Sequence, residues 1–193
     1  MNLANRLSLF RIILIPLFVA IVLYHTPQKD YLRNFAAFIF ILSIISDFLD
    51  GYIARRSKQI TRMGALLDPV ADKLLINTAF ILLFTRKGLS ASFEIPFLIP
   101  LVVLSRDLLL VVGSLLFYLT QGKLEIKPTI LGKFSTFFQT ITIIAIIMHL
   151  SFTPFLWYAT GFFTIASGID YIWRGGKWIF QESSSSVSLK TSK

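Results

Sequence analysis

Residues 47–72 read DFLDGYIARRSKQITRMGALLDPVAD, and this stretch holds four of the ten acidic residues of the chain. Asp47 and Asp50 are three positions apart and Asp68 and Asp72 are four apart, so each pair falls on one face of a helix. Long apolar runs flank the stretch, and ionised carboxylates beside such runs carry a large desolvation cost. These aspartates could therefore protonate, pair with neighbouring arginines, cap helix ends or bind cations.

The rest of the chain consists mainly of apolar runs. Of its 193 residues, 55% are hydrophobic and 15% are charged, with a mean hydropathy of +0.72 and no Cys. A soluble domain has about 25% charged residues, so a soluble globule, a disordered chain and a disulfide scaffold are all excluded. Since a spanning helix needs about 20 residues, the runs predict an all-α, polytopic integral membrane protein with six transmembrane helices, at residues 7–24, 31–54, 66–85, 95–120, 129–150 and 154–173.

The net charge of +9 reflects basic loops, and we expect no nucleic-acid partner. Thirteen of the 19 Lys and Arg residues fall in segments on one side of the predicted spans and four fall on the other. The positive-inside rule then places the N- and C-termini and all four clustered aspartates at the cytoplasmic face. We expect residues 1–180 to form a six-helix membrane catalytic domain and residues 181–193 a disordered, Ser-rich cytoplasmic tail.

The residues between the aspartates have two interpretations each. Gly51 and Ala54 lack bulk, so a phosphorylated ligand could approach the backbone there, or a neighbouring helix could pack closely. Arg55 could hold a phosphate with its fork of donors, or anchor the cytoplasmic end of its span. Gly64 permits a turn, and Asp68 followed by Pro69 is typical of an N-cap with Pro at the first helical position, so Asp68 could cap the start of the predicted span 66–85.

If the aspartates bind cations, their number and type restrict which ones. Two divalent ions balance four carboxylates charge for charge, and ligands that are all oxygen favour Mg²⁺ or Mn²⁺ over zinc, with Ca²⁺ a weaker option.

The segment as a whole resembles the defining motif of the CDP-alcohol phosphotransferase (CDP-alcohol phosphatidyltransferase) family. The match covers eight positions at fixed spacing, namely Asp47, Asp50, Gly51, Ala54, Arg55, Gly64, Asp68 and Asp72. The resemblance implies an enzyme of phospholipid biosynthesis that transfers a phosphatidyl group from CDP-diacylglycerol to an alcohol and releases CMP. It also implies a multi-pass protein of the bacterial inner or plasma membrane, in contact with membrane lipids and forming a homodimer.

The same resemblance implies roles for the motif residues. The four aspartates, Asp47, Asp50, Asp68 and Asp72, would hold two divalent cations, Mg²⁺ or Mn²⁺. Asp72 would also be the catalytic base that accepts the proton of the acceptor hydroxyl. The CDP moiety would be bound by Asp47, Gly51, Ala54, Arg55 and Gly64.

Residues outside the motif bear on the acceptor alcohol. Asn5 with Arg11, together with residues 64–74, resembles phosphatidylglycerophosphate synthases, whose acceptor is glycerol 3-phosphate. This implies a cationic phosphate pocket, for which Arg106 and Lys133 are the candidates, with Gln139 on the same helix face as Lys133. Arg106 could instead pair with the adjacent aspartate or with a backbone carbonyl.

One departure favours a different acceptor. Ser114 stands where such synthases commonly have a second Arg, eight residues after Arg106. Arg106 with Asp107, together with Lys127-Pro128, Gly132-Lys133 and Gln139, resembles the cardiolipin synthases of the same family, which use phosphatidylglycerol as acceptor. We place glycerol 3-phosphate first and phosphatidylglycerol second.

A different class, a divalent-cation transporter, would also use intramembrane aspartates. Transporter sites lie near the bilayer midplane on broken helices, whereas these aspartates lie at the ends of spans beside a basic loop. A membrane metallohydrolase would have no need for the spacing of Gly51, Ala54 and Arg55. The sequence therefore favours the transferase.

Overall fold

The computed structural model describes residues 3–57, 62–86, 95–121 and 129–191, and within these ranges it contains helices and turns and no β-strand. Six helices follow one another: α1 (Leu3–Tyr24), α2 (Tyr31–Ser57), α3 (Arg62–Thr85), α4 (Leu98–Gln121), α5 (Ile130–Ile147) and α6 (Thr153–Thr191). A short 3₁₀ turn, Pro27–Lys29, connects α1 to α2. The all-α class and the six predicted helices are confirmed.

The N-terminal half of the fold, α1 to α3, packs through apolar side chains. Helix α1 lies against both α2 and α3. Phe18, Phe40 and Phe80, one from each helix, are completely buried, and the rings of Phe18 and Phe40 have centroids 5.7 Å apart at an interplanar angle of 43°. Ala36 and Ala79 are buried beside them, and such small residues let helix backbones approach closely.

The C-terminal half, α4 to α6, packs differently. Helix α6 lies against both α5 and α4, and α3 contacts α4 and α5, so α3 joins the two halves. The interface between α5 and α6 contains a row of buried polar groups, which we call the hydroxyl seam and define as Ser135, Gln139, Thr142, Thr160 and Thr164. These residues recur at intervals of four and three on α5 and at an interval of four on α6, which is the spacing of one helix face.

Both ends of α5 are fixed by hydrogen bonds. At its start the backbone N–H of Gly132 donates to Oγ1 of Thr129 over 3.0 Å, which is an N-cap. At its end His149 adopts the left-handed conformation with φ of 56°, and the N–H of Leu150 donates to the carbonyl of Ala145. The His149 ring then accepts a hydrogen bond at Nδ1 from Nη1 of Arg33, 2.9 Å away, which ties the end of α5 to the start of α2.

Many large apolar side chains are exposed on the surface of the helices, although others form the buried core. Phe155, Tyr158 and Phe162 on α6 expose 73%, 79% and 68% of their surface, and large apolar side chains are exposed on the other helices as well. Arg106 and Asp107, in contrast, are buried. Since broad exposed apolar surface is unfavourable in water, this arrangement is typical of a helix bundle surrounded by lipid.

The length and apolar composition of the described helices do not by themselves establish six membrane spans. Among the described residues, only the helix Ile130–Ile147 is both long and apolar enough to cross a membrane. Three apolar stretches are shorter, namely Ile13–Tyr24, Tyr31–Ser46 and Lys73–Thr85. The buried core helix of a soluble protein can pass the same test, so the six spans and their orientation stay a prediction.

Helix α6 runs past the expected domain boundary at residue 180. It continues to Thr191, through most of the segment 181–193 that the composition predicts to be disordered. Residues 177–191 contain neither Pro nor Gly, so the backbone has no strong helix breaker there.

Candidate functional site

The eight motif residues lie on two consecutive helices. The C-terminal part of α2 carries Asp47, Asp50, Gly51, Ala54 and Arg55, and the N-terminal part of α3 carries Gly64, Asp68 and Asp72. The backbone is helical at all eight positions, which confirms that the aspartates of each pair share a helix face. The side chains of these eight residues lie outside the described part of the structure, so their proposed contacts stay a prediction.

The expected start of α3 is wrong. The helix begins at Arg62, so Gly64 lies in its first turn and Asp68 and Pro69 lie inside it. Gly64 is therefore not the turn, and Asp68 is not the N-cap. The Asp-Pro signal is misleading here because Met63, Ala65 and Leu66 are good helix formers that extend the helix toward the N-terminus.

The described part of the site is a cluster of charges on α3 and α4, which we call the cation cluster and define as Lys73, Arg106 and Asp107; Arg106 and Asp107 are buried and Lys73 is partly buried. Nη1 of Arg106 donates to Oδ1 of Asp107 over 2.7 Å. Nζ of Lys73 lies 3.3 Å from the same oxygen. Two cations thus share one carboxylate oxygen, which leaves one positive charge in excess within the cluster.

Hydrogen bonds to two other helices hold the cation cluster. Nε and Nη2 of Arg106 both donate to Oγ of Ser167 on α6, over 3.3 and 2.8 Å. Nζ of Lys73 donates to Oγ1 of Thr136 on α5 over 3.2 Å. Contacts of 3.3 Å or less therefore run from Thr136 through Lys73, Asp107 and Arg106 to Ser167, and connect α5, α3, α4 and α6.

Gly132 on α5 comes close to the cluster. A Cβ atom built on Gly132 would lie 3.2 Å from Nη2 of Arg106 and 3.1 Å from Oγ1 of Thr129. A side chain at this position would press on the guanidinium, so the glycine allows α5 to approach Arg106.

The three residues predicted to bind the acceptor have different environments, and the prediction that Lys133 and Gln139 share a helix face is wrong, because six residues turn a helix by about 240°. Arg106 is in the cation cluster, while Lys133 is exposed on α5. Gln139 is buried in the hydroxyl seam, where its Nε2 donates to Oγ of Ser135 and to Oγ1 of Thr164 over 3.2 and 3.3 Å. Oε1 of Gln139 is buried and has no hydrogen-bond partner among the described residues. No described hydrogen bond or ion pair links Lys133 or Gln139 to Arg106.

The sequence interpretation of Arg106 as a partner of the adjacent Asp107 is confirmed. The roles of Lys73 and Ser167 in this site are missed. Lys73 could have been found, because a Lys and an Asp inside predicted spans each need a partner, and pairing them satisfies both. Ser167 has no comparable signal, since a serine in an apolar helix also commonly bonds to its own backbone.

Chemically, this arrangement suits an anion. The cation cluster carries a net positive charge in a largely buried environment of low dielectric, and the guanidinium presents a planar fork of donors. Among the described side chains, no group of three or more His, Asp or Glu residues is placed to hold a metal ion. The side chains of the four motif aspartates are not among those described.

The chain has a family match and several curated relatives. A family model described as CDP-alcohol phosphatidyltransferase matches residues 1–167. A protein of Aquifex aeolicus named CDP-diacylglycerol–glycerol-3-phosphate 3-phosphatidyltransferase is 36% identical, over 94% of this chain and 100% of that protein. Proteins with the same name from Bacillus subtilis and Rickettsia prowazekii are each 34% identical, over 88% of this chain and 93% of theirs.

Proposed function

The chain belongs to the CDP-alcohol phosphatidyltransferase family, and from this membership we propose that it transfers a phosphatidyl group from CDP-diacylglycerol to glycerol 3-phosphate and releases CMP. The observation that carries the proposal is the full-length similarity to relatives named for this reaction, the Aquifex aeolicus protein being 36% identical over 94% of this chain. The motif supports the donor half of the reaction, and the cation cluster supports an acceptor that bears a phosphate.

One bond forms and one breaks in the proposed reaction, and a residue of this chain accepts the proton that is released. The acceptor hydroxyl oxygen forms a bond to the phosphorus that carries the diacylglycerol, the bond from that phosphorus to the CMP oxygen breaks, and the hydroxyl proton passes to Asp72. A carboxylate within reach of the attacking hydroxyl is a suitable general base. Gly51, Ala54, Arg55 and Gly64, with Asp47, would receive the cytidine diphosphate end of the donor.

The four motif aspartates are suitable ligands for two divalent cations. Four carboxylates on two consecutive helices, Asp47, Asp50, Asp68 and Asp72, provide oxygen ligands only, which suits Mg²⁺ or Mn²⁺. When bound, such ions would neutralise charge on the diphosphate and stabilise the departing CMP.

Arg106 would hold the phosphate of the acceptor. Its guanidinium belongs to a largely buried cluster with one positive charge in excess, and a phosphate supplies the missing negative charge. Lys133 and Gln139 would complete the acceptor side, Lys133 as an exposed cation at the start of α5.

We further propose that all six helices span the membrane, with both termini and the active site on the cytoplasmic side, and that the protein is a homodimer. The exposed apolar side chains and the buried polar ones support the lipid environment. The excess of basic residues on one side of the helices supports the orientation.

A product assay tests the proposal. The full chain, purified in detergent, is given CDP-diacylglycerol and Mn²⁺ with either glycerol 3-phosphate or phosphatidylglycerol, and the products are separated by thin-layer chromatography. We expect phosphatidylglycerophosphate from the first acceptor. Cardiolipin from the second acceptor alone would replace the proposal with the reading that Ser114 favours, and use of inositol or serine would contradict both.

The role of Asp72 has its own prediction. Asp72→Asn keeps the size of the side chain and removes its basicity, so we expect transfer to fall by about a thousandfold. Product formation and CMP release are measured together, with Asp170→Asn on α6 as the control that removes a carboxylate outside the site. Full CMP release by Asp72→Asn would contradict the assignment of the base.

A further inference from the structure

Asp107 lies outside the eight-residue motif, but the structure places it between the two cations of the site, Lys73 and Arg106. Its carboxylate is buried, and Oδ1 contacts both Arg106, over 2.7 Å, and Lys73, over 3.3 Å. Oδ2 is buried without a hydrogen-bond partner among the described residues. Both cations therefore share one carboxylate oxygen as a counter-ion, so a change at one of them affects the other.

Through Lys73, Asp107 acts on the helix that carries Asp72. Lys73 is the next residue after Asp72 on α3, about 100° around the helix. Because Lys73 reaches Asp107 on α4 and Thr136 on α5, two polar contacts fix the rotation and the register of α3 at this level. The position of Asp72 is set by the same rotation.

Through Arg106, Asp107 acts on the proposed phosphate site. Two hydrogen bonds to Ser167 and one to Asp107 hold the guanidinium, and these use three of its five N–H donors. If a phosphate takes over the Nη1 donor, Lys73 stays on Oδ1 and the carboxylate keeps a counter-ion. The second cation thus allows the first to be released without leaving an unpaired buried charge.

We infer that Asp107 is a positioning residue for the acceptor: it holds Arg106 ready for the acceptor phosphate and, through Lys73, sets the register of the helix that carries Asp72. This inference rests on the proposed function for the identity of the acceptor. It assigns Asp107 no contact with the reacting atoms.

The test uses the full chain in detergent and four proteins: wild type, Asp107→Asn, Asp107→Glu and Asp170→Asn. Asp170 is the matched control, since it is also a largely buried carboxylate, 14% exposed, that pairs with an Arg over 2.8 Å, but its partner Arg174 is 66% exposed and lies outside the cation cluster. The first measurement is the rise in melting temperature on adding glycerol 3-phosphate, compared with glycerol as the uncharged probe. The second is the KM for each substrate together with kcat.

We expect Asp107→Asn to lose the thermal shift with glycerol 3-phosphate and to raise the KM for glycerol 3-phosphate about tenfold or more, because its Arg106 loses the charge that orients it. The KM for CDP-diacylglycerol should stay within about twofold, which a general loss of structure would not allow. Asp107→Glu keeps the charge and should recover most of the affinity. Asp170→Asn should match the wild type in all measurements.

Two results would overturn the inference. One is a KM for glycerol 3-phosphate in Asp107→Asn equal to that of Asp170→Asn. The other is an equal rise in both KM values together with a lower melting temperature in the absence of ligand, which would make Asp107 merely structural. If Asp107→Asn yields no folded protein, Lys73→Met replaces it, with the same selective rise in the KM for glycerol 3-phosphate expected and an unchanged KM overturning the inference.

The two proposals can fail separately. A wild type that glycerol 3-phosphate stabilises in an Asp107-dependent way, but that forms no phosphatidylglycerophosphate, contradicts the proposed function and supports the inference. A wild type that forms this product while Asp107→Asn behaves like the control supports the proposed function and contradicts the inference.

Discussion

The two halves of the fold differ in the buried polar contacts between their helices. Helices α1 to α3 meet through buried phenyl and small apolar groups such as Phe18, Phe40 and Ala79. Helices α4 to α6 also bury apolar side chains, but they add hydrogen bonds in the hydroxyl seam and at Arg106. Dispersion contacts have little directionality, so they set how closely helices pack. Hydrogen bonds depend on angle and distance, so they also fix the register of one helix against the next. The half that must hold the Arg106 guanidinium in one orientation is the half that adds directional contacts to its apolar packing.

The largest loss in the free energy of unfolding is expected in the N-terminal half, α1 to α3. Phe40→Ala removes a completely buried ring that packs against Phe18, and we expect the free energy of unfolding to fall by about 3–5 kcal/mol. Phe38→Ala, two positions away on the same helix but 56% exposed, is the control. Chemical unfolding in detergent, followed by circular dichroism, measures both. Equal losses would mean that burial in the N-terminal half does not determine its stability.

In the C-terminal half, Ser167→Ala should cause the next largest loss in the free energy of unfolding. It removes the acceptor of two buried donors of Arg106, and such unpaired donors cost about 1–3 kcal/mol. Ser105→Ala on α4 is matched to it, because the exposed Ser105 hydroxyl donates only to the carbonyl of Leu101 in its own helix. We expect that control to stay within about 0.5 kcal/mol of the wild type. A Ser167→Ala variant as stable as Ser105→Ala would contradict the view that the hydroxyl of Ser167 holds α6 to α4.

A smaller change in stability is expected at His149, where a hydrogen bond from Arg33 connects the two halves. Ala or Gly at this position removes the ring that accepts from Arg33, but only Gly adopts a φ of 56° without strain. His149→Gly should therefore be more stable than His149→Ala by about 1 kcal/mol. The comparison of two melting curves isolates the backbone term, and a reversed order would show that the left-handed turn is not maintained.

The smallest effect is the coupling between two hydroxyls of the seam. The Oγ1 atoms of Thr142 on α5 and Thr160 on α6 lie 2.8 Å apart. A double-mutant cycle that replaces each Thr with Val should give a coupling free energy of about 0.6 kcal/mol. A second cycle pairs Thr142 with Thr85, whose hydroxyl bonds to carbonyls of its own helix, and should give none. If the two cycles agree, the seam does not contribute directional energy, and the contrast between the halves would weaken.

Much of the fold follows from the sequence because its signals are local. The apolar runs and the turn residues between them predict six helices, and the spacing of Asp47 and Asp50 predicts their shared face. The start of α3 is misjudged because an Asp-Pro pair is typical of a helix start, and only the residues before it show that the helix is already under way.

The part of the site that could not be predicted depends on contacts between distant residues. Asp107 is adjacent to Arg106, so their pairing is a local expectation that the structure confirms. The contacts of Lys73 with Asp107 and of Arg106 with Ser167 require the packing of α3, α4 and α6, which neither hydropathy nor spacing specifies. The sequence therefore identifies the charges but not which of them share a counter-ion.

The distances along the chain within the cation cluster have a consequence for the order of assembly. Lys73 precedes its partner Thr136 by 63 residues, and Arg106 precedes Ser167 by 61. A ribosome therefore completes α1, α2 and α3, with their own apolar core, well before it makes the two hydroxyl groups to which these cations donate. Arg106 finds its hydroxyl partner only once α6 has been synthesised, so this end of the site is the last to be completed in a newly made chain.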